Sequence, residues 1–124
     1  MYDIEEQVLN HPAVSEAEVI KFSENGEECP AIVVVLRREW SDRAASVLRD
    51  LSMINTTGTE YLLGIRFIDR FKTNPITGKR DVLTLPQETT DYYIFDKADG
   101  KIYRVNIGVG KTAVADRDVL IVKV

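Results

Sequence analysis

Ala31-Ile32-Val33-Val34-Val35-Leu36 is an unbroken apolar run of mostly β-branched residues. A run this short without polar alternation predicts a strand buried on both faces. The elements around it follow from their patterns. Residues 17–23 read as a strand, and Glu24-Asn25-Gly26-Glu27-Glu28 reads as a turn with its strongest signal at Asn-Gly. The two strands therefore form a hairpin. Upstream, residues 3–10 read as a helix, with Ile4 and Val8 at i, i+4 and Asp3 and Glu6 at capping-box spacing. Pro12 stops that helix, and His11 falls in its last turn, where a structural role is expected.

Downstream, residues 42–54 read as a second helix. Ala44, Val47, Leu48, Leu51 and Ile54 make its apolar stripe. Ser41 or Asp42 is expected to cap it, and Thr56-Thr57-Gly58 to end it. Residues 60–68 then alternate, with Leu63, Ile65 and Phe67 expected on one face and Arg66 and Ile68 on the other. The order α-β-β-α-β predicts an α+β fold: a small antiparallel or mixed sheet flanked by two or three helices.

The third strand runs into Phe71-Lys72-Thr73-Asn74-Pro75-Ile76-Thr77-Gly78-Lys79-Arg80. Between Arg66 and Arg80 there are five cations and only one anion, Asp69, although the whole chain carries a formal charge of −4. Lysine is a compact charge on a long stem. A glycine before it lets the backbone fold back tightly. Such a loop can bring a point charge to a phosphate or carboxylate; the alternative is a merely solvated basic loop.

Two stretches carry a family resemblance. Asp3-Ile4-Glu5-Glu6, followed by His11-Pro12-Ala13-Val14-Ser15-Glu16-Ala17, resembles the start of the small C-terminal domain of AMP-forming acyl-CoA synthetases. These belong to the adenylate-forming superfamily, with nonribosomal peptide adenylation domains and luciferases. Ile68-Asp69-Arg70-Phe71, followed by Thr77-Gly78-Lys79, resembles that family's closing motif. The two come in the family's order and at a similar separation, and the resemblance covers residues 3–85. Phe71 stands where the family has proline, the loop is slightly longer, and Arg80 replaces a usually apolar residue.

The resemblance implies a lid over a large N-terminal nucleotide-binding domain, with Lys79 as the catalytic lysine. Thr77 and Gly78 would form the turn that aims it, and Arg80 and Lys72 would be further phosphate or substrate contacts. The reaction implied is ATP-dependent adenylation of a carboxylic acid, followed by thioester formation on coenzyme A or a carrier protein. ATP, Mg2+ and coenzyme A would serve the full-length enzyme. The family's hinge motif would fall just before Met1, which points to a piece of a longer synthetase, inactive alone. The rival expectation is a free-standing interaction or regulatory module of the same fold. In the isolated domain Lys79 is expected to be exposed, on a poorly ordered loop.

Residues 86–124 read as a β-rich extension of the lid domain at 1–85. Tyr92-Tyr93-Ile94-Phe95 and Ile102-Tyr103-Arg104-Val105 flank a hairpin turn, with positive φ expected at the Asp99-Gly100 end. Asp118–Val124 supplies a last strand. The tyrosines are expected to pack across strands, not to form a ligand face. Gly108-Val109-Gly110-Lys111-Thr112 looks like the end of a P-loop, but Val105 stands where the first glycine is needed. A glycine-rich connection is the better reading.

The acidic balance argues against a nucleic-acid partner, which calls for a basic domain. No apolar run is long enough for a membrane span. One His and one Cys exclude the usual zinc sets, and no nucleophilic triad can be assembled. Cys29 is expected to be a buried thiol in a cytoplasmic protein.

Overall fold

The structure is a computed structural model that describes residues 4–24, 27–54, 62–96, 98, 100–107 and 114–119. Helix α1 spans Ile4–Leu9, with Glu5 and Glu6 in the first turn, where the helix dipole favours acids. Asp3 lies outside the described residues. Strand β1 (Val14–Glu24) pairs antiparallel with β2 (Glu27–Leu36), from Val14↔Leu36 to Glu24↔Glu27. The Asn25-Gly26 turn lies outside the described residues. Ala31, Ile32, Val33 and Val34 are all fully buried, as a strand covered on both faces requires.

A helical crossover follows. It consists of a 3-10 segment, Arg38–Arg43, and helix α2, Ala44–Leu51. It returns the chain to β3 (Gly64–Ile68), which lies parallel to β2 from Ala31↔Gly64 to Val35↔Ile68. The helix is shorter than its apolar stripe predicts. The chain already turns from Arg38, so Ser41 and Asp42 sit inside the 3-10 segment. The residue before α2 is Arg43, and no side chain caps the helix there. At the other end α2 gives way at Ser52, whose hydroxyl donates to Leu48 O at 2.7 Å. The expected stop at Thr56-Thr57-Gly58 lies outside the described residues.

Strand β3 also begins later than its pattern predicts, and Glu60 and Tyr61 lie outside the described residues. Leu63 packs with the core opposite to that of Ile65 and Phe67. The strand alternation starts only at Gly64. Leu63 precedes it, with its N–H bonded to Pro30 O at 2.8 Å.

After β3 the chain passes through the basic loop and a short 3-10 turn, Leu85–Gln87, into β4 (Thr90–Asp96). Strand β5 (Lys101–Ile107) pairs antiparallel with β4, from Thr90↔Ile107 to Asp96↔Lys101. Gly100 has φ 70° in the turn, while Lys97 and Asp99 lie outside the described residues. Strand β6 is Val114–Val119, starting earlier than the expected Asp118. Residues 120–124 and the glycine-rich stretch 108–113 lie outside the described residues.

Among the described residues, the six strands form one mixed sheet, ordered β1-β2-β3-β4-β5-β6. Strand β4 joins β3 antiparallel at Ile65↔Tyr93. A Cβ on Gly64 would stand 2.7 Å from the Tyr92 Cβ, so the close approach of β4 needs glycine there. Tyr92 and Tyr93 point to opposite faces, as neighbours in a strand must, and pack in different cores.

The sheet divides the core in two. On one face Val14, Ile32, Val34 and Ile65 meet Val8 of α1 and Val47, Leu48 and Leu51 of α2. On the other, Ile20, Val33, Tyr92 and Ile107 meet Phe71 and Leu85. Cys29 is buried in this second core and forms no disulfide. His11 ties the ends of the two helices together. Its Nδ1 accepts the Ala13 N–H at 3.1 Å, so Nε2 carries the proton and donates to Asp50 at 2.8 Å. The ring also meets Trp40 edge-on, at 5.8 Å between centroids. No helix among the described residues is long and apolar enough to cross a membrane.

Candidate functional site

The basic loop leaves the C-terminal end of β3 and folds into a miniature hairpin. Thr73 and Arg80 form an antiparallel bridge. The Asn74 N–H donates to Lys79 O at 2.7 Å, and the Asp81 N–H donates to Lys72 O at 2.7 Å. The Asn74 side chain turns the tip. Its Oδ1 accepts the Ile76 N–H at 2.8 Å and the Thr77 N–H at 3.4 Å, an Asx-turn geometry. The Gly78 N–H returns to Asn74 O at 2.8 Å, and Gly78 has φ 72°. That left-handed residue reverses the chain just before Lys79, whose N–H donates to Thr77 Oγ1 at 3.3 Å. The loop expected to be poorly ordered is thus held by its own hydrogen bonds.

Every residue from Lys72 to Arg80 is exposed, and Ile76 at the tip is 92% exposed. No ion pair of Lys79 is seen among the described residues. Its ammonium stands in solvent at the end of a shaped turn.

The two residues flanking the hairpin behave differently. Phe71 is buried in the second core. The Arg80 guanidinium lies over the Phe71 ring, 4.8 Å from its centroid. It donates to Ala17 O at 3.3 Å and stands 3.7 Å from Glu18 Oε2. Burial pushes the Glu18 carboxyl pKa above its ordinary value; Arg80 pulls it back, and Glu5 adds to the rise. Arg80 therefore faces β1 while staying partly open to solvent.

Lys72 belongs to a third grouping. A cavity of about 420 Å³ opens beside the loop's root, lined by Arg66, Arg70, Lys72, Asp69, Asp81 and Glu88 among others. Arg66 pairs with Glu88 at 2.9 Å. Among the described residues, the Arg66 Nη1 and the Tyr92 hydroxyl are buried with no hydrogen-bond partner of good geometry. Burial raises the Tyr92 pKa, against the opposing pull of Arg66. A second cavity of about 420 Å³ shares Ile68 and Asp69 with the first and reaches Leu36, Arg38, Ser41 and Phe67. No three His, Cys, Asp or Glu side chains gather to hold a metal ion among the described residues.

The structure therefore brings Thr77, Gly78 and Lys79 together at one turn. It places Lys72 at the cavity and turns Arg80 toward the sheet. Two contributors escaped sequence reasoning. Asn74 had a local signal, since Asn before Pro favours an Asx turn. Glu18 had none, because its partner Arg80 lies far along the chain.

No protein-family model and no curated protein sequence matches the chain. Solved structures do. A benzoate CoA ligase from Burkholderia xenovorans LB400 matches with 27% identity and a TM-score of 0.50, covering 66% of this chain and 17% of the ligase. The o-succinylbenzoate CoA synthetase of Bacillus subtilis matches with 25% identity and a TM-score of 0.48, covering 66% and 16%. A fatty acyl CoA synthetase of Mycobacterium tuberculosis gives 24%, 0.48, 66% and 16%. The benzoate ligase match carries the comparison. The chain spans about a sixth of these enzymes' lengths, 16–17%. Over 66% of its length it is similar in fold to this benzoate CoA ligase, in line with the family that its two ordered motifs resemble.

Proposed function

We propose that this chain is the lid domain of an AMP-forming acid–thiol ligase and that Lys79 is its catalytic cation. The observation that carries the reading is the Lys79 turn: an exposed ammonium directly after a left-handed glycine, on a hairpin held by its own hydrogen bonds. Adenylation joins a carboxylate to the α-phosphate of ATP. Two anions must approach, and charge builds on the phosphoryl oxygens. A cation aimed at that charge in a closed, dry site lowers the barrier most when it needs no rearrangement.

Thr77 and Gly78 set the turn, and Lys72 at the root adds positive potential toward the phosphates. The partner is the enzyme's nucleotide-binding domain, which holds ATP and the acid. Coenzyme A is the acceptor class that the similar ligases suggest, with a carrier protein as the variant. Mg2+ belongs with the nucleotide, since the described residues offer no ligand cluster for it.

The test is Lys79→Ala in the full-length enzyme. Carboxylate-dependent ATP–pyrophosphate exchange should fall about a hundred- to a thousand-fold. Thioester formation from a preformed acyl-adenylate should fall far less. Equal loss in both half-reactions would overturn the assignment.

A further inference from the structure

We propose that Arg80 is a positioning residue, a latch that clamps the base of the Thr73–Arg80 hairpin to strand β1 and so sets where Lys79 points. The inference rests on the lid reading for its link to catalysis, but its structural part stands alone. The hairpin's internal hydrogen bonds fix its shape and leave its direction relative to the sheet open. Direction is set at the base, where one leg enters the core through Phe71 and the other leg carries Arg80.

Arg80 holds three partners on two elements: the Phe71 ring at 4.8 Å, Ala17 O at 3.3 Å and Glu18 at 3.7 Å. Stacking on Phe71 joins the two legs. The bonds to Ala17 and Glu18 join them to β1. Only a planar guanidinium can stack and donate sideways at once; a lysine would keep a single point contact. Lys79 directly precedes Arg80 and is exposed, so an anchor at Arg80 limits the directions its ammonium can take. A loop tip that swings by even one ångström can cost about a hundred-fold in rate, so a modest anchor has a large effect.

The experiment has two arms. In the first, backbone 15N relaxation is measured on the 124-residue chain. Arg80→Ala should lower order parameters over residues 72–80 from about 0.85 to below about 0.6. Arg80→Lys should restore them in part, and Lys79→Ala should leave them unchanged. Glu18→Gln, which spares the Phe71 contact, should loosen the loop less and gives a readout should Arg80→Ala fail to fold. In the second arm, Arg80→Ala in the full-length enzyme should lower kcat for adenylation at least about ten-fold with little change in KM for ATP. Unchanged order parameters together with a raised KM would mean that Arg80 is a phosphate contact, and would overturn the latch. If Lys79→Ala keeps full adenylation while Arg80→Ala still loosens the loop, the lid reading fails and the latch stands.

Discussion

The two faces of the sheet are covered by different means. One face lies under α1 and α2, whose apolar stripes supply Val8, Val47, Leu48 and Leu51, all essentially buried. The other lies under residues 69–88, which form no α-helix and contribute only Phe71 and Leu85 as fully buried apolar side chains. A helix delivers an apolar residue every three or four positions to the same surface. An irregular segment delivers few, and its backbone groups must find partners of their own. The result is a helical face covered by regular apolar stripes and a loop face with an ion pair, Arg66–Glu88, in the wall of its cavity; a second cavity of the same size, about 420 Å³, reaches Leu36 and Phe67 at the edge of the helical core. The candidate site is rooted on the loop face, where Phe71 enters the core. A scaffold of strands under an irregular loop suits the proposed role, in which the loop meets a partner domain.

The contrast can be broken most severely by removing residues 87–124. That deletion takes Tyr92, Val105 and Ile107 from the loop face and Tyr93, Phe95 and Ile102 from the helical face. It also removes the Phe95 N–H that the Ser52 hydroxyl accepts at 3.1 Å. The 124-residue chain so shortened should lose its cooperative thermal transition in circular dichroism. A truncated chain that melts sharply would show that the sheet is complete at β3 and that the extension only decorates it.

A milder comparison uses one substitution on each face. Leu48→Ala, in the fully packed helical core, should cost about 3–5 kcal/mol in denaturant unfolding. Leu85→Ala, beside an existing cavity, removes less packed surface and should cost about 2–3 kcal/mol. Equal losses would mean that the two faces are packed alike.

The smallest effect concerns Glu18. Its folded pKa is raised above the ordinary 4.5, with burial outweighing the pull of Arg80. A raised pKa means that its protonated form is favoured by folding. Its contribution to stability is therefore whole below 4.5 and is lost as pH rises through the folded value. Glu18→Gln should flatten that part of the Tm-against-pH curve while loosening the hairpin slightly. A curve of unchanged slope would show that burial of this carboxyl does not limit stability.

Much of the fold was legible because its signals are local. The β-branched run at 31–36 announced a doubly buried strand, and the two extension strands paired as the hairpin their pattern predicted. The errors fell where local signals give out. Ser41 and Asp42 look like caps, but the chain enters α2 through a 3-10 segment that no periodicity marks. Leu63 continues the strand alternation in sequence, yet its N–H is taken by Pro30 before the strand begins. The site divided in the same way. The turn at Gly78 and the exposure of Lys79 were readable because a left-handed glycine and its neighbour are a local matter. Arg80 and Lys72 look equivalent in sequence and are not, because one finds Phe71 and β1 while the other finds the cavity.

By itself, then, the sequence determined the buried strand, the hairpins, the existence of the two helices and a chain reversal at Gly78. Each depends on φ/ψ preferences and side-chain spacing within a few residues. Only the tertiary structure decided that β4 joins β3 at Ile65↔Tyr93, which face each core occupies, and that Arg80 turns to Ala17 and Glu18 while Lys79 stays free. Those choices pair residues far apart in the chain. Their energies come from burial and hydrogen bonding that exist only once the sheet has assembled, so no short stretch of sequence carries them.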